Sequence, residues 1–214
     1  LTGDLFNLFV AFEMMLTASY ILITLGGRLD QVRSGMTYVV INLVASTFFV
    51  VLLALLYAAL GTVNMADISE RMHTLPHGMR VAFALLMFVV FGIKAAVFPL
   101  FFWLPDSYPT APTAVTAIFA GLLTKVGIYC MIRTQTLLIA KDDRISRFLL
   151  VIAGLTMIIG VLGAIAQNDI KRILSFHIVS QIGYMVLGLG LFTVAGIGAA
   201  IFYAVNQIVL KSTL

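Results

Sequence analysis

The stretch Val90-Phe91-Gly92-Ile93-Lys94-Ala95-Ala96-Val97-Phe98-Pro99 places a lysine and a proline inside one apolar run. The run continues on both sides, from Val81 to Leu104, which exceeds the roughly 20 apolar residues that a bilayer crossing needs. Lipid cannot satisfy backbone polar groups, so a spanning segment is a helix or part of a closed barrel. This run is too long and too continuous for alternating barrel strands. Proline removes a backbone donor and frees a carbonyl one turn back. Gly92 adds freedom just upstream. A helix broken near Lys94–Pro99 is therefore expected, with the lysine at the break. Interrupted helices of this kind line transport sites near the midplane of membrane proteins. A simple kink in a packed helix is the plainer alternative, and the lysine beside the break argues against it.

Working outward, six further apolar runs reach spanning length: approximately Leu5–Leu25, Met36–Leu60, Thr113–Ile132, Phe148–Ala166, Ile173–Thr193 and Ala195–Leu214. The fold class is an all-α polytopic membrane protein with about seven transmembrane helices. Composition agrees, since 62% of the 214 residues are hydrophobic and only 10% are charged, against roughly 25% charged in soluble domains. The net charge of +4 does not argue for nucleic acid, because basic residues beside spans are ordinary. Short connections carry most of the charge, including Arg28, Asp30 and Arg33, then Lys141, Asp142, Asp143 and Arg144, then Asp169, Lys171 and Arg172. Basic residues are nearly balanced between the two sides, so they leave the orientation open. Met65–Leu75 has mixed polarity before Pro76 and suits either a short interfacial helix or a loop. Leu1 is not an initiator Met and the chain stops within an apolar segment, so an internal piece of a longer protein is expected. Cys130 has no partner for an internal disulfide and reads as a small packing residue.

Ionisable residues inside the spans are the candidate site. Glu13 is central in the first, Lys94 lies in the third, Lys125 in the fourth and Lys211 in the last. His177 sits near the start of the sixth, close to Ser180 and Gln181. A charge at the helix centre costs about 2.5–3.5 kcal/mol on the insertion scale, so such residues mark ion or proton pathways. Snorkelling to the interface explains a lysine near a helix end, which suits Lys211 and not Lys94 or Lys125. A purely structural pair with Glu13 would use one lysine and leave another unexplained. His177 is either a hydrogen-bonded helix residue or a proton relay, a role its ordinary titration range permits. Other chemistries are missing from the pattern. There is no P-loop, no GxGxxG, no HExxH and no Cys/His set with metal spacing. Neither a cofactor nor a metal is expected.

Four stretches resemble the antiporter-like membrane subunits shared by Mrp-type multisubunit sodium/proton antiporters and respiratory complex I. They are Thr2-Gly3-Asp4-Leu5-Phe6-Asn7-Leu8-Phe9-Val10 with Phe12-Glu13; Lys94 through Phe98-Pro99-Leu100, Trp103-Leu104-Pro105-Asp106 and Ala111-Pro112-Thr113; Gly121-Leu122-Leu123-Thr124-Lys125; and Asn168-Asp169-Ile170-Lys171-Arg172-Ile173-Leu174 with Ser180-Gln181-Ile182-Gly183-Tyr184-Met185. The first stretch is most similar to the D-type subunit of the Mrp antiporters. The resemblance implies two inverted helical repeats, the first roughly 1–140 and the second starting at roughly 145, within one transmembrane domain. It implies Glu13 and Lys94 as a coupled acid–base pair, Lys125 as the next relay and Lys211 as the central lysine. It also implies that the Asp169–Arg172 loop is cytoplasmic, and that the chain works beside other membrane subunits in a bacterial inner membrane. One departure stands out. Relatives often carry histidine shortly before the last lysine, where this chain has Asn206 and Gln207, which hold water but do not titrate.

The expected function is proton translocation coupled to sodium or another monovalent cation. Two lysines about 8 Å apart at an effective dielectric near 20 repel by roughly 2 kcal/mol, so protonating one tends to discharge the other. The first rival is a proton-pumping subunit of a quinone-linked dehydrogenase or membrane hydrogenase, with the same local chemistry and a redox drive. The second is a membrane anchor, against which the buried charges argue.

Overall fold

A computed structural model describes residues 2–139 and 142–213. Lys141, one of the connection charges named above, lies outside them, as does Leu214 at the end of the last expected span. Among the described residues the regular structure is helical, apart from an isolated bridge between Asp4 and Asn64. Seven segments are long and apolar enough to cross a membrane.

Helix α1 spans Leu5–Ile23 and starts at Asp4, whose carboxylate accepts the Asn7 N–H and satisfies one of the free donors of the first turn. Helix α2 spans Leu29–Leu60, and its 32 residues measure about 48 Å. It begins seven residues before the expected Met36, because the polar residues Asp30, Gln31 and Arg33 form its first turns rather than a loop. It ends at Gly61, whose φ of 70° is the left-handed conformation that glycine adopts without cost. Helix α3 spans Met65–Met72 within the stretch of mixed polarity and buries Met65, Ile68 and Met72, the i, i+3, i+7 positions of one face.

Helix α4, His77–Ala95, holds the lysine of the opening stretch. The apolar run from Val81 to Leu104 is broken as expected, into α4, a turn, and the short helix α5 at Trp103–Ser107. A 3-10 turn at Tyr108–Thr110 leads to α6, Thr113–Ile118. A π-helical turn, Phe119–Leu123, joins α6 to α7, Thr124–Leu137, so the fourth span is a single interrupted crossing that runs past the expected Ile132. Helices α8, Asp143–Ile165, and α9, Ile170–Gly190, form a hairpin, and α10 spans Val194–Thr213.

Packing relies on small residues that let backbones meet, as it must where lipid gives helices no hydrophobic reason to associate. A Cβ on Gly160 of α8 would lie 2.5 Å from the Ser180 N of α9, and one on Gly183 would lie 2.5 Å from the Met157 Cγ. Helix α4 packs against α2 on one side and α7 on the other, which puts the interrupted helix at the centre. Apolar side chains such as Met14, Ile21, Ile158, Ile165 and Phe202 stay exposed, as lipid-facing positions do.

Candidate proton pathway

The break that holds Lys94 is built from backbone chemistry. Helix α4 ends at Ala95, and Ala96 takes a left-handed conformation with φ 59°, which a residue with a Cβ seldom adopts. The Val97 N–H then donates to the Gly92 carbonyl at 3.0 Å. Gly92 itself lies inside α4, and Pro99 follows a cis peptide with Phe98. Neighbouring helices satisfy the groups the break exposes. Trp103 Nε1 donates to the Ile93 carbonyl at 3.0 Å, and Thr156 Oγ1 of α8 accepts the Phe98 N–H at 3.2 Å. The interruption is thus held open by hydrogen bonds, which the bilayer interior requires of non-helical backbone.

Lys94 is only 4% exposed. Its Nζ lies 3.4 Å from Ser46 Oγ of α2 and 5.1 Å from the centre of the Phe12 ring, a cation–π distance. Ser46 in turn donates to Glu13 Oε1. Among the described residues the ion pairs are Arg28–Asp30, His77–Asp142 and Arg172–Asp106, so Glu13 and Lys94 do not touch directly. A hydroxyl stands between the acid and the base. A hydroxyl donates and accepts at once, so it joins the two groups without making them a closed ion pair. Ser46 was not identified from sequence. The available signal was its spacing from Asn42 and Tyr38, which places three polar side chains on one buried face of α2.

Lys125 is equally buried at 4% and sits just after the π-helical turn. Its ammonium donates to the Ala120 carbonyl inside that turn. Single π turns loosen the carbonyl ladder and recur at functional sites. Helix α7 reaches the α4 break two residues later: a Cβ on Gly127 would lie 2.8 Å from Ala95 N and 3.0 Å from the Lys94 carbonyl carbon. Only glycine lets the two interrupted segments come this close.

Lys211 is 5% exposed, and its Nζ lies 2.8 Å from His177 Nδ1, joining α10 to α9. The other ring nitrogen of His177 lies 3.2 Å from the Gln181 side-chain amide. His177 stands two turns into α9 and is exposed in this chain. A cavity of about 200 Å³ is lined by Ala120, Tyr108, Thr116, Ser175, Lys171 and Lys211 among others. Its lining thus includes both Ala120, whose carbonyl holds Lys125, and Lys211, and it has room for several waters. Thr124 Oγ1, Gln181 Oε1 and Gln207 Oε1 are buried without a protein partner among the described residues, as polar atoms reserved for water are. Asn206 is exposed, so of the two amides only Gln207 is buried.

The structure thus brings Glu13 and Lys94 together through Ser46, and Lys211 together with His177. Lys125 stands between the two groups beside the π turn. Away from this line, His77 at the start of α4 meets Asp142 at 2.6 Å. Asp142 also caps α8; the Arg144 N–H and the His77 ring hold its carboxyl below the usual carboxylate range.

The family described as NADH:quinone oxidoreductase/Mrp antiporter, TM, matches residues 2–214. The D-type subunit of the Na(+)/H(+) antiporter from Alkalihalophilus pseudofirmus is 53% identical over the whole chain, which covers 44% of that protein. A chain in the structure of the Mrp complex from Dietzia superposes with a TM-score of 0.93 at 42% identity, over all of this chain and 40% of that one. A chain of the archaeal membrane-bound sulfane sulfur reductase gives 0.90 at 33% identity, over 99% of this chain and 44% of that one. The chain spans less than half the length of these relatives. With interrupted helices, buried lysines and a matching sequence over nearly every residue, the chain belongs to the NADH:quinone oxidoreductase/Mrp antiporter transmembrane family.

Proposed function

We propose that this chain is part of a membrane subunit that moves protons in exchange for sodium or another monovalent cation. The observation that carries the reading is the line of Glu13, Ser46 and Lys94 at the end of an interrupted helix. A proton leaving Glu13 passes to the Ser46 oxygen as the hydroxyl hydrogen moves on toward a neutral Lys94. Burial disfavours the charged ammonium and a carboxylate nearby favours it, so a small movement of α1 against α4 switches Lys94 between holding and releasing its proton. Lys125, Lys211 and His177 continue the line, with water bridging the gaps that side chains leave. The protein works among other membrane subunits in a bacterial inner membrane, with the Asp169–Arg172 loop on the cytoplasmic side. Residues 1–140 form the larger part of one inverted repeat, and the second starts near 145. The chain carries protons rather than electrons.

A second reading gives the same residues a redox-driven pump, and the likeness to a chain of the sulfane sulfur reductase complex favours it. The drive separates the two readings. Vesicles holding the complete set of subunits are given a sodium gradient and no electron donor, and internal pH is followed by a fluorescent dye. Proton movement that tracks the gradient supports the antiporter. Movement only when a reductant is supplied supports the pump.

A further inference from the structure

Helix α2 is longer than the bilayer requires. Its 32 residues measure about 48 Å, against about 30 Å of hydrocarbon. The apolar sequence fills the later part, so the first turns, with Asp30 and Arg33, stand at headgroup level. There α2 meets α5 and the start of α9. Ser107 Oγ of α5 donates to the Ser34 carbonyl of α2 at 3.3 Å. Arg172 Nη2 of α9 donates to Asp106 Oδ1 of α5 at 2.9 Å. Beside these contacts lies an open recess of about 480 Å³, lined by Arg33, Ser34, Thr37, Asp106, Thr110 and Arg172 among others.

The charges of this recess do not cancel. Two arginines face one carboxylate, which leaves one net positive charge. Asp106 is already taken by Arg172, and Arg33 takes part in none of the ion pairs among the described residues. Arg172 spends one nitrogen on Asp106, so other donors of its planar fork stay available. A basic residue at the membrane surface ordinarily reaches into water and needs no partner. Two observations set Arg33 apart from that case. It shares its recess with a second guanidinium and the hydroxyls of Ser34, Thr37 and Thr110. The face of α2 that continues from it into the membrane is apolar and open. Arg33, Met36, Thr37 and Val40 fall at i, i+3, i+4 and i+7, and Met36 and Val40 are 57% and 53% exposed. On the α5 side, Phe102 lies one turn before Asp106 and is exposed as well. A soluble anion has no use for these apolar positions. A molecule with a phosphate at one end and alkyl chains at the other uses both.

We propose that this recess binds an anionic phospholipid, with the phosphodiester between Arg33 and Arg172 and the acyl chains along Met36, Val40 and Phe102. A phosphodiester carries one negative charge and balances the net charge of the recess. Its oxygens accept from guanidinium forks and hydroxyls together. A headgroup ammonium would add a cation beside two arginines, so phosphatidylglycerol, with an uncharged head alcohol, binds better than phosphatidylcholine. The bound lipid joins α2 to α9 across α5, the helix that follows the break. The site rests on the membrane reading of the chain and not on the proton relay.

The test uses the complete complex in vesicles of phosphatidylglycerol and phosphatidylcholine at equal mole fractions. A photoreactive benzophenone amino acid replaces Met36. After illumination, the lipid joined to this chain is identified by mass spectrometry. Capture at position 36 is expected to favour phosphatidylglycerol about fivefold, the scale of one basic residue's attraction for an anionic lipid. The same amino acid at Ile158, an exposed apolar position of α8, is expected to report the bulk ratio. Arg33→Gln is expected to remove the preference at position 36. Arg33→Lys is expected to keep part of it, because lysine keeps the charge without the fork. Equal capture of the two lipids at position 36, or a preference that survives Arg33→Gln, overturns the site. Capture of protein in place of lipid makes the recess a subunit contact and overturns it too. If the replacement at Met36 does not assemble, Val40 is replaced instead and answers the same question. Excess inorganic phosphate is expected to leave the preference unchanged; its loss would make the recess a soluble-phosphate site and overturn the lipid assignment. Capture is read without an ion gradient, so a complex that fails to exchange cations for protons still decides the lipid site.

Discussion

Lys94 and Lys211 are buried to the same degree, yet they keep opposite company. Lys94 has a carboxylate one hydroxyl away and an aromatic face beneath it. Lys211 has a histidine ring and a cavity, with no acid in contact among the described residues. The first lysine can be held charged by a neighbour of opposite sign. The second competes with His177 for one proton, since a ring nitrogen and an amine at 2.8 Å cannot both be charged without strong repulsion. On the proposed pathway the first region stores a proton and the second passes one on.

The sharpest way to break this contrast is to remove one partner of the first region. Glu13→Ala and Lys94→Ala are each expected to abolish cation-driven proton movement while the protein still inserts. The double variant should be no worse than either, because residues that act as a unit are not additive. Glu13→Asp keeps the charge on a shorter arm and should retain part of the rate. Normal transport by Glu13→Ala in vesicles at matched expression ends the storage role.

Next in size is Lys125→Arg. Arginine keeps the charge and does not give up its proton, so transport should fall about a hundredfold, the scale of a lost acid–base group. A wild-type rate would make Lys125 a structural residue and join the two regions by some other route. Ser46→Ala comes third. Losing the bridge should lower the rate about tenfold, and Ser46→Thr, which keeps a hydroxyl, should recover it. If Ser46→Ala and Ser46→Thr behave alike, the hydroxyl only packs.

How much of this contrast could be read from residues alone follows from cost. Glu13, Lys94, Lys125 and Lys211 stand out because each is expensive in an apolar run, and the placement of Lys94 before Pro99 marks the broken helix. Ser46 does not stand out, since a lone serine in a membrane helix is cheap and gains its meaning from Glu13, 33 positions earlier. The π turn at Phe119–Leu123 leaves no mark in composition. The early start of α2 is hidden for a related reason: Asp30, Gln31 and Arg33 look like a connection until the turn at Gly26 and Gly27, both with positive φ, folds Gln31 back onto α1.

The smallest effect lies outside both regions, where His77 at the start of α4 meets Asp142 at the start of α8. Asp142→Ala should leave transport unchanged and lower stability by about 1 kcal/mol, the usual cost of a lost N-cap. The carboxyl titrates below its unfolded value, so its contribution is complete above about pH 4 and disappears as pH falls through the lower folded value. Thermal unfolding of the purified complex, compared at about pH 7 and about pH 3, checks both statements: the gap between wild type and variant should close in acid.

Gly127 ties the history of this protein to its geometry. Its missing side chain is what lets α7 lie on the backbone of Ala95, at the point where α4 stops. A lineage that gained a methyl group here would need a new shape for the 95–97 turn in the same step, or lose the spacing between Lys94 and Lys125. Positions 95, 96 and 127 should therefore change together or not at all among descendants, and a library that randomises them jointly should return functional triplets that single substitutions never reach.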